Sequence, residues 1–211
     1  MISIGELLSI LFAWSVHYIF KPGILLLLTG FYLSAANRRN TTLLRALLFC
    51  WVGDFLLMFA NRDEIYFMLG LIAFLVGHLF YIFTFRQLVW SQPGTLLPTQ
   101  KLRYLFPIFL TGTGLIVIVY PGLGPLKIPV IMYAAALMIM VSFALLRKSR
   151  TTSISFLWVF IGAALFMISD SLLAINKFYV SFTMAHLYIM ITYVAAQYMI
   201  VKGVLAHSTN S

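Results

Sequence analysis

Two aspartates stand inside the most apolar stretches of this chain, Asp54 in Phe49-Cys-Trp-Val-Gly-Asp-Phe-Leu-Leu-Met-Phe and Asp170 in Leu165-Phe-Met-Ile-Ser-Asp-Ser-Leu-Leu-Ala-Ile. Holding a carboxylate in hydrocarbon costs about 2.5–3.5 kcal/mol on insertion scales, so each needs a partner, a watery cavity or a bound proton. The two surroundings match. A small residue precedes each aspartate, Leu-Leu follows one residue later, and an Asn beside a cation comes next, Asn61-Arg62 and Asn176-Lys177. Two carboxyls brought together at low dielectric titrate as a coupled pair and supply a protonated acid and a carboxylate at once, the requirement of acid–base catalysis. Other polar side chains fall at helical spacing. His78 and Tyr81 are three residues apart, and His186, Met190, Tyr193 and Gln197 follow at four, three and four, so each set shares one helix face. A membrane helix turns such a stripe inward, although a lone His or Tyr can equally serve as a hydrogen bond to a neighbouring helix.

The elements that must position these residues follow from composition. With 63% hydrophobic and 9% charged residues among 211, and a mean hydropathy of +1.02, the chain is expected to be an all-α, multi-pass integral membrane protein, one helical domain over residues 1–211. Cys50 is the single cysteine, which excludes an intrachain disulfide and paired-thiol chemistry. The net charge of +9 does not point to nucleic acid, because the cations fall between apolar runs instead of along one face. No basic segment precedes the first apolar run and no small-residue cleavage pattern follows it, so residues 4–20 read as a retained helix.

Cutting the chain at charged and Pro/Gly-rich breaks predicts eight spans, near residues 4–20, 22–37, 42–60, 64–86, 103–120, 126–147, 153–175 and 181–204. The first two would fuse into one if Lys21-Pro22 did not separate them. Alternating loops then place Arg38, Arg39, Arg45, Arg86, Lys101, Arg103, Arg147, Lys148, Arg150 and Lys202 on one side and Lys21, Arg62, Lys127 and Lys177 on the other. Ten cations against four predicts that the richer side, with both termini, is cytoplasmic. The third and seventh spans then run the same way. Each aspartate lies seven residues before a boundary, at Asn61 or Lys177, and about 10 Å below the same surface. The competing reading pairs each aspartate with its own nearby cation, Lys177 lying on the face of Asp170.

Several site types are absent: no Gly-x-Ser-x-Gly elbow, no phosphate-binding Gly-x-x-x-x-Gly-Lys-Ser/Thr loop, no Gly-x-Gly-x-x-Gly and no His-Glu-x-x-His. His78, His186, Asp54 and Asp170 are ligand types for zinc, but the histidines sit on different helices at different depths, so no metal is expected.

In order along the chain, Lys21-Pro-Gly-Ile-Leu-Leu-Leu-Leu, Gly53-Asp54, Gly77-His78-Leu-Phe-Tyr81, Ser169-Asp170-Ser-Leu-Leu and Thr192-Tyr193-Val-Ala-Ala-Gln197 resemble the YhhN-like lysoplasmalogenase family. The resemblance covers nearly the whole chain, residues 87–152 matching only in hydrophobicity. It implies a membrane hydrolase that cleaves the vinyl ether bond of lysoplasmalogens to a fatty aldehyde and a glycerophospho-base, without a cofactor, in a bacterial inner membrane. The partners it implies are a lysophospholipid substrate and membrane lipid. Such cleavage starts with a proton delivered to the β-carbon, giving an oxocarbenium ion that water captures. Asp54 is expected to be the acid, because Trp51, Phe55 and Leu57 surround it. Asp170, between Ser169 and Ser171, is expected to stay ionised and orient water. His78, Tyr81, His186, Tyr193 and Gln197 are expected to line the site, and Lys21, Lys177 and Arg62 to meet the phosphate headgroup. A simple helix-end lysine would explain Lys21 as well. The rival reading is a proton-coupled lipid or small-molecule transporter that uses the same aspartates.

Overall fold

The computed structural model describes residues 23–60, 62–90 and 96–208, and among them it contains seven helices and no strand. These are α1 (Gly23–Ala35), α2 (Thr41–Leu57), α3 (Glu64–Gln87), α4 (Pro98–Val119), α5 (Lys127–Leu145), α6 (Ser153–Phe178) and α7 (Ala185–Ser208). The span predicted over residues 4–20 lies outside the described residues. Five helices, α3 to α7, are long and apolar enough to cross a membrane. Their outer faces carry large apolar side chains such as Leu102, Val117 and Ile128, all exposed. An apolar exterior around an apolar core suits lipid as the solvent, and the chain is an integral, multi-pass membrane protein.

Local chemistry sets the helix ends. The Asn40 side chain accepts from the Leu43 N–H at 2.9 Å and starts α2, while Asp63 does the same for α3 through Ile65 at 2.9 Å. The fourth helix starts five residues earlier than the hydrophobic pattern predicts. Pro98 occupies its first turn, where a missing N–H costs nothing, and Gln100 accepts from the Leu97 N–H at 3.1 Å. The sixth helix runs three residues longer than predicted. The Asn176 side-chain Oδ1 then accepts from the Phe182 N–H at 3.3 Å, Met184 takes a left-handed φ of 60°, and α7 starts at Ala185.

Two close hairpins, α2 with α3 and α6 with α7, carry the most extensive helix contacts, and α5 joins them by packing on both α3 and α6. Small residues permit the close approach. At Gly162 an added Cβ would sit 2.9 Å from the Ala196 carbonyl oxygen of α7. The Ser155 hydroxyl, one to two turns away on α6, donates to the Gly203 carbonyl at 2.7 Å. Helix α4 leans on α5 and leaves most of its surface outward.

Candidate active site

Asp54, three residues before the end of α2, is 2% exposed. Gly53 beside it lets Phe74 of α3 press in, since a Cβ there would lie 2.5 Å from the Phe74 ring. The Tyr193 hydroxyl of α7 donates to Asp54 Oδ2 at 2.8 Å. Gln197, one turn along the same face, donates through Nε2 to the Tyr193 oxygen at 3.3 Å and accepts from the Tyr81 hydroxyl of α3. A buried chain of polar groups thus runs from α3 through α7 to the carboxyl on α2. A donor with its partner in place is what makes burying each of these groups affordable.

Asp170, on α6, is half-buried. The Tyr133 hydroxyl of α5 donates to its Oδ2 at 2.5 Å, and His78 Nε2 of α3 lies 3.9 Å from the same oxygen. His78 is fully buried, and neither ring nitrogen has a hydrogen-bond partner. Its ring is held instead between aromatic neighbours, with centroids 4.9 Å from Phe166 and 5.1 Å from Tyr133. An unsatisfied buried polar group costs about 1–3 kcal/mol, so this imidazole is poised beside the carboxylate at a cost to stability.

Asp54 and Asp170 line one cavity of about 40 Å³, together with Ser169, Tyr133, Tyr193 and apolar residues that include Met190. That volume holds one or a few waters among several polar partners. A second cavity of about 40 Å³, between α3, α4, α5 and α6, shares Asp170, Tyr133, Leu71 and Leu173 with the first and is otherwise apolar, lined by residues such as Phe67, Leu115 and Val119. Asp170 and Tyr133 therefore stand where the chamber lined by both carboxyls meets one that is otherwise apolar.

The structure brings together most of the residues expected at the site. Asp54, Asp170 and Tyr193 line the shared cavity, His78 flanks Asp170, and Tyr81 and Gln197 stand behind Tyr193. His186 is exposed and does not line it. Its place two turns before Tyr193, about 10 Å along α7, carries it past the chamber. Lys177 is exposed, with Nζ 5.2 Å from the centre of the Phe67 ring instead of on Asp170, and the Arg62 guanidinium sits 5.1 Å from the Phe59 ring. Lys21 lies outside the described residues. The serines beside Asp170 do not serve it: Ser169 donates to the Ile189 carbonyl at 3.0 Å and Ser171 to the Met167 carbonyl at 2.7 Å. In a membrane helix a serine satisfies itself on backbone, and the donor to Asp170 is Tyr133. Tyr133 is not among the residues expected at the site from sequence. Its one signal is a single phenol within Val130-Ile-Met-Tyr-Ala-Ala-Ala-Leu, an otherwise aliphatic run.

A model of the YhhN family matches residues 16–204. Over 177 residues the chain is 32% identical to proteins named lysoplasmalogenase from Mycobacterium bovis and Mycobacterium tuberculosis, an overlap covering 79% of this chain and 61% of each relative. It is also 33% identical over 194 residues to a lysoplasmalogenase of Mus musculus, covering 92% of this chain and 76% of that protein. The chain thus spans about three fifths of the length of the mycobacterial relatives. No solved structure matches it.

Proposed function

The chain belongs to the YhhN family, and we propose that it is a lysoplasmalogenase, hydrolysing the vinyl ether bond of a lysophospholipid to a fatty aldehyde and a glycerophospho-base. The observation that carries this reading is the meeting of Asp54 and Asp170, from helices far apart in sequence, in one small chamber that opens beside an apolar one. The similarity to proteins named lysoplasmalogenase supports the substrate class. The apolar chamber takes the start of the aliphatic chain, and the vinyl ether lies between the carboxyls.

In this reading a protonated carboxyl adds its proton to the β-carbon, and the electron pair of the double bond forms the new C–H bond. The resulting oxocarbenium ion is stabilised by the neighbouring carboxylate; water adds to the α-carbon and gives one proton to that carboxylate, so the pair again holds one proton, and the hemiacetal breaks its C–O bond as its hydroxyl proton passes to the departing glycerol oxygen, giving aldehyde and alcohol. The parallel with glycosidases, whose transition state is also oxocarbenium-like, is one of chemistry and not of fold. We assign the acid to Asp170, the reverse of the sequence expectation. Asp170 stands at the junction of the two chambers, and a chain lying in the apolar one presents its β-carbon there first. His78, 3.9 Å away, closes the α3 side of Asp170 and helps to keep its surroundings apolar. Asp54, held by Tyr193, is the anion that orients water. The phosphate headgroup reaches toward Lys177 and Arg62, with Lys21 expected on the same side. This reading also keeps residues 4–20 as an eighth span and the cation-rich side as cytoplasmic, in a bacterial inner membrane.

The test is aldehyde release from lysoplasmalogen by detergent-purified protein, with the matching ester lysophospholipid as control. Asp170→Asn should lose at least about a hundredfold in turnover, in the range general acids supply, and Asp54→Asn less. Fatty acid from the ester control would make the protein an esterase, and wild-type turnover in a folded Asp170→Asn variant would remove the proposed acid.

A further inference from the structure

At the other end of the bundle, where α3 and α5 finish and α6 begins, Arg86, Arg147 and Arg150 share a cavity of about 500 Å³ floored by Phe85, Phe143 and Leu146. From Phe74 in the aspartate chamber to Phe85 here is three turns of α3, about 16 Å, so the two sites are separate. Arg147 is 1% exposed, and its guanidinium donates to the Leu88 carbonyl at 3.2 Å, the Ser155 carbonyl at 3.4 Å and the Ser155 hydroxyl at 2.7 Å. All three acceptors are neutral. Burial lowers its pKa from 12.5 to about 10, which leaves it a cation at neutral pH. Arg150 keeps a buried Nε with no hydrogen-bond partner among the described residues, while its backbone carbonyl accepts from the Trp90 N–H at 2.8 Å. Arg86 extends over Phe143, its guanidinium carbon 5.8 Å from the ring centre.

None of the three is in an ion pair among the described residues, and no carboxylate lines the cavity. Asp63 and Glu64 stand at the opposite end of α3, about 33 Å from Arg86 at 1.5 Å per residue. Three cations that line one cavity with no anion beside them among the described residues repel one another, and a bound anion would relieve that repulsion. Guanidinium forks match phosphate oxygens in pairs, and basic pockets between membrane helices are suited to phosphorylated headgroups. The aromatic floor adds a place for carbon atoms next to the phosphate.

We propose that this cavity is a phosphate-ester binding site, with phosphoryl oxygens on Arg86 and Arg150 and the adjoining carbon skeleton on Phe85 and Phe143, independent of the aspartate chamber. The ester is either a membrane lipid headgroup or a soluble phosphate ester, and the two sources are separable by experiment. Native mass spectrometry of the purified protein would compare retention of dioleoyl-phosphatidylglycerol with a neutral dioleoylglycerol, with and without millimolar glycerol 3-phosphate. Wild type should retain the phospholipid at least tenfold better than the neutral lipid. Retention that survives glycerol 3-phosphate identifies a lipid site, and displacement by it identifies a soluble-ester site. Arg86→Gln with Arg150→Gln should abolish the preference, whereas Arg38→Gln with Arg39→Gln, an equal loss of charge on the exposed α1–α2 loop, should preserve it. If the double variant does not fold, Arg86→Gln alone, at an exposed position, should still cut retention several-fold. Equal loss in both double variants, or no preference in wild type, overturns the proposal. The readout uses no turnover and is unaffected by whether the hydrolase reading holds.

Discussion

Tyr133→Phe isolates one hydroxyl. The ring that lies 5.1 Å from His78 and walls both chambers stays, while the donor to Asp170 Oδ2 goes. A hydrogen bond to a charged acceptor is worth about 1.5–3 kcal/mol, and Asp170 gains its charge as its proton leaves in the transition state; at 1.36 kcal/mol per tenfold in rate, losing the Tyr133 donor should lower kcat by roughly 10- to 150-fold. The apolar chamber is unchanged in shape, so KM should move less than threefold, the pattern of an interaction used in the transition state. The assay is aldehyde formation under saturating substrate, with thermal melting to show that the variant is folded. Tyr104→Phe is the control. It also removes a hydroxyl, one that accepts from Lys148 Nζ at 3.1 Å on α4, and should leave turnover unchanged. If Tyr133→Phe retains more than half of wild-type kcat, Tyr133 does not position Asp170 and the assignment of the acid loses its support.

Gln197→Leu keeps the volume but deprives the buried Tyr81 hydroxyl of its partner, which should cost about 1–3 kcal/mol, and an unchanged melting temperature would show that the bond is not formed. Ala134→Phe fills the apolar chamber that takes the start of the aliphatic chain, so kcat/KM should fall about tenfold for long- and short-chain lysoplasmalogen alike; an unchanged kcat/KM would place the chain elsewhere. Gly162→Ala forces a methyl 2.9 Å from the Ala196 carbonyl and should destabilise the α6–α7 hairpin by about 1–3 kcal/mol in thermal melting, with a neutral result arguing against that close crossing.

The aspartates were legible because the cost of a carboxylate in an apolar run is a property of sequence alone. Tyr193 and Gln197 were legible because one helix face carries them both. Tyr133 was not. It is one phenol on α5, and only the crossing of α5 over α3 and α6 aims it at Asp170. The flanking serines misled for a related reason, since sequence neighbours on a helix point to different faces, and Ser169 and Ser171 each find a backbone carbonyl. His186 fitted the stripe in angle, but periodicity does not report where along the axis a chamber ends. The helix ends differ from the expected boundaries, α2 ending three residues after Asp54 and α6 eight after Asp170, and both carboxyls line one cavity.

That mismatch in helix ends bears on how the pair divides its work. With α2 ending early, Asp54 lies in its last turn, packed against Phe74 and Tyr193, and of the two chambers lines only the shared one. Asp170, two turns inside the end of a longer helix, lines both chambers. A vinyl ether is itself polarised along its length: the alkyl chain attaches at the β-carbon, the oxygen at the α-carbon, and the glycerol beyond. In the proposed function, a substrate threaded with its chain in the apolar chamber would meet Asp170 at the carbon that must take a proton, with the atoms that must take up water farther in, toward Asp54. Burial alone would give the proton to Asp54. The order in which a lipid would present its atoms favours Asp170 under that proposal, and the larger turnover loss should accompany that residue.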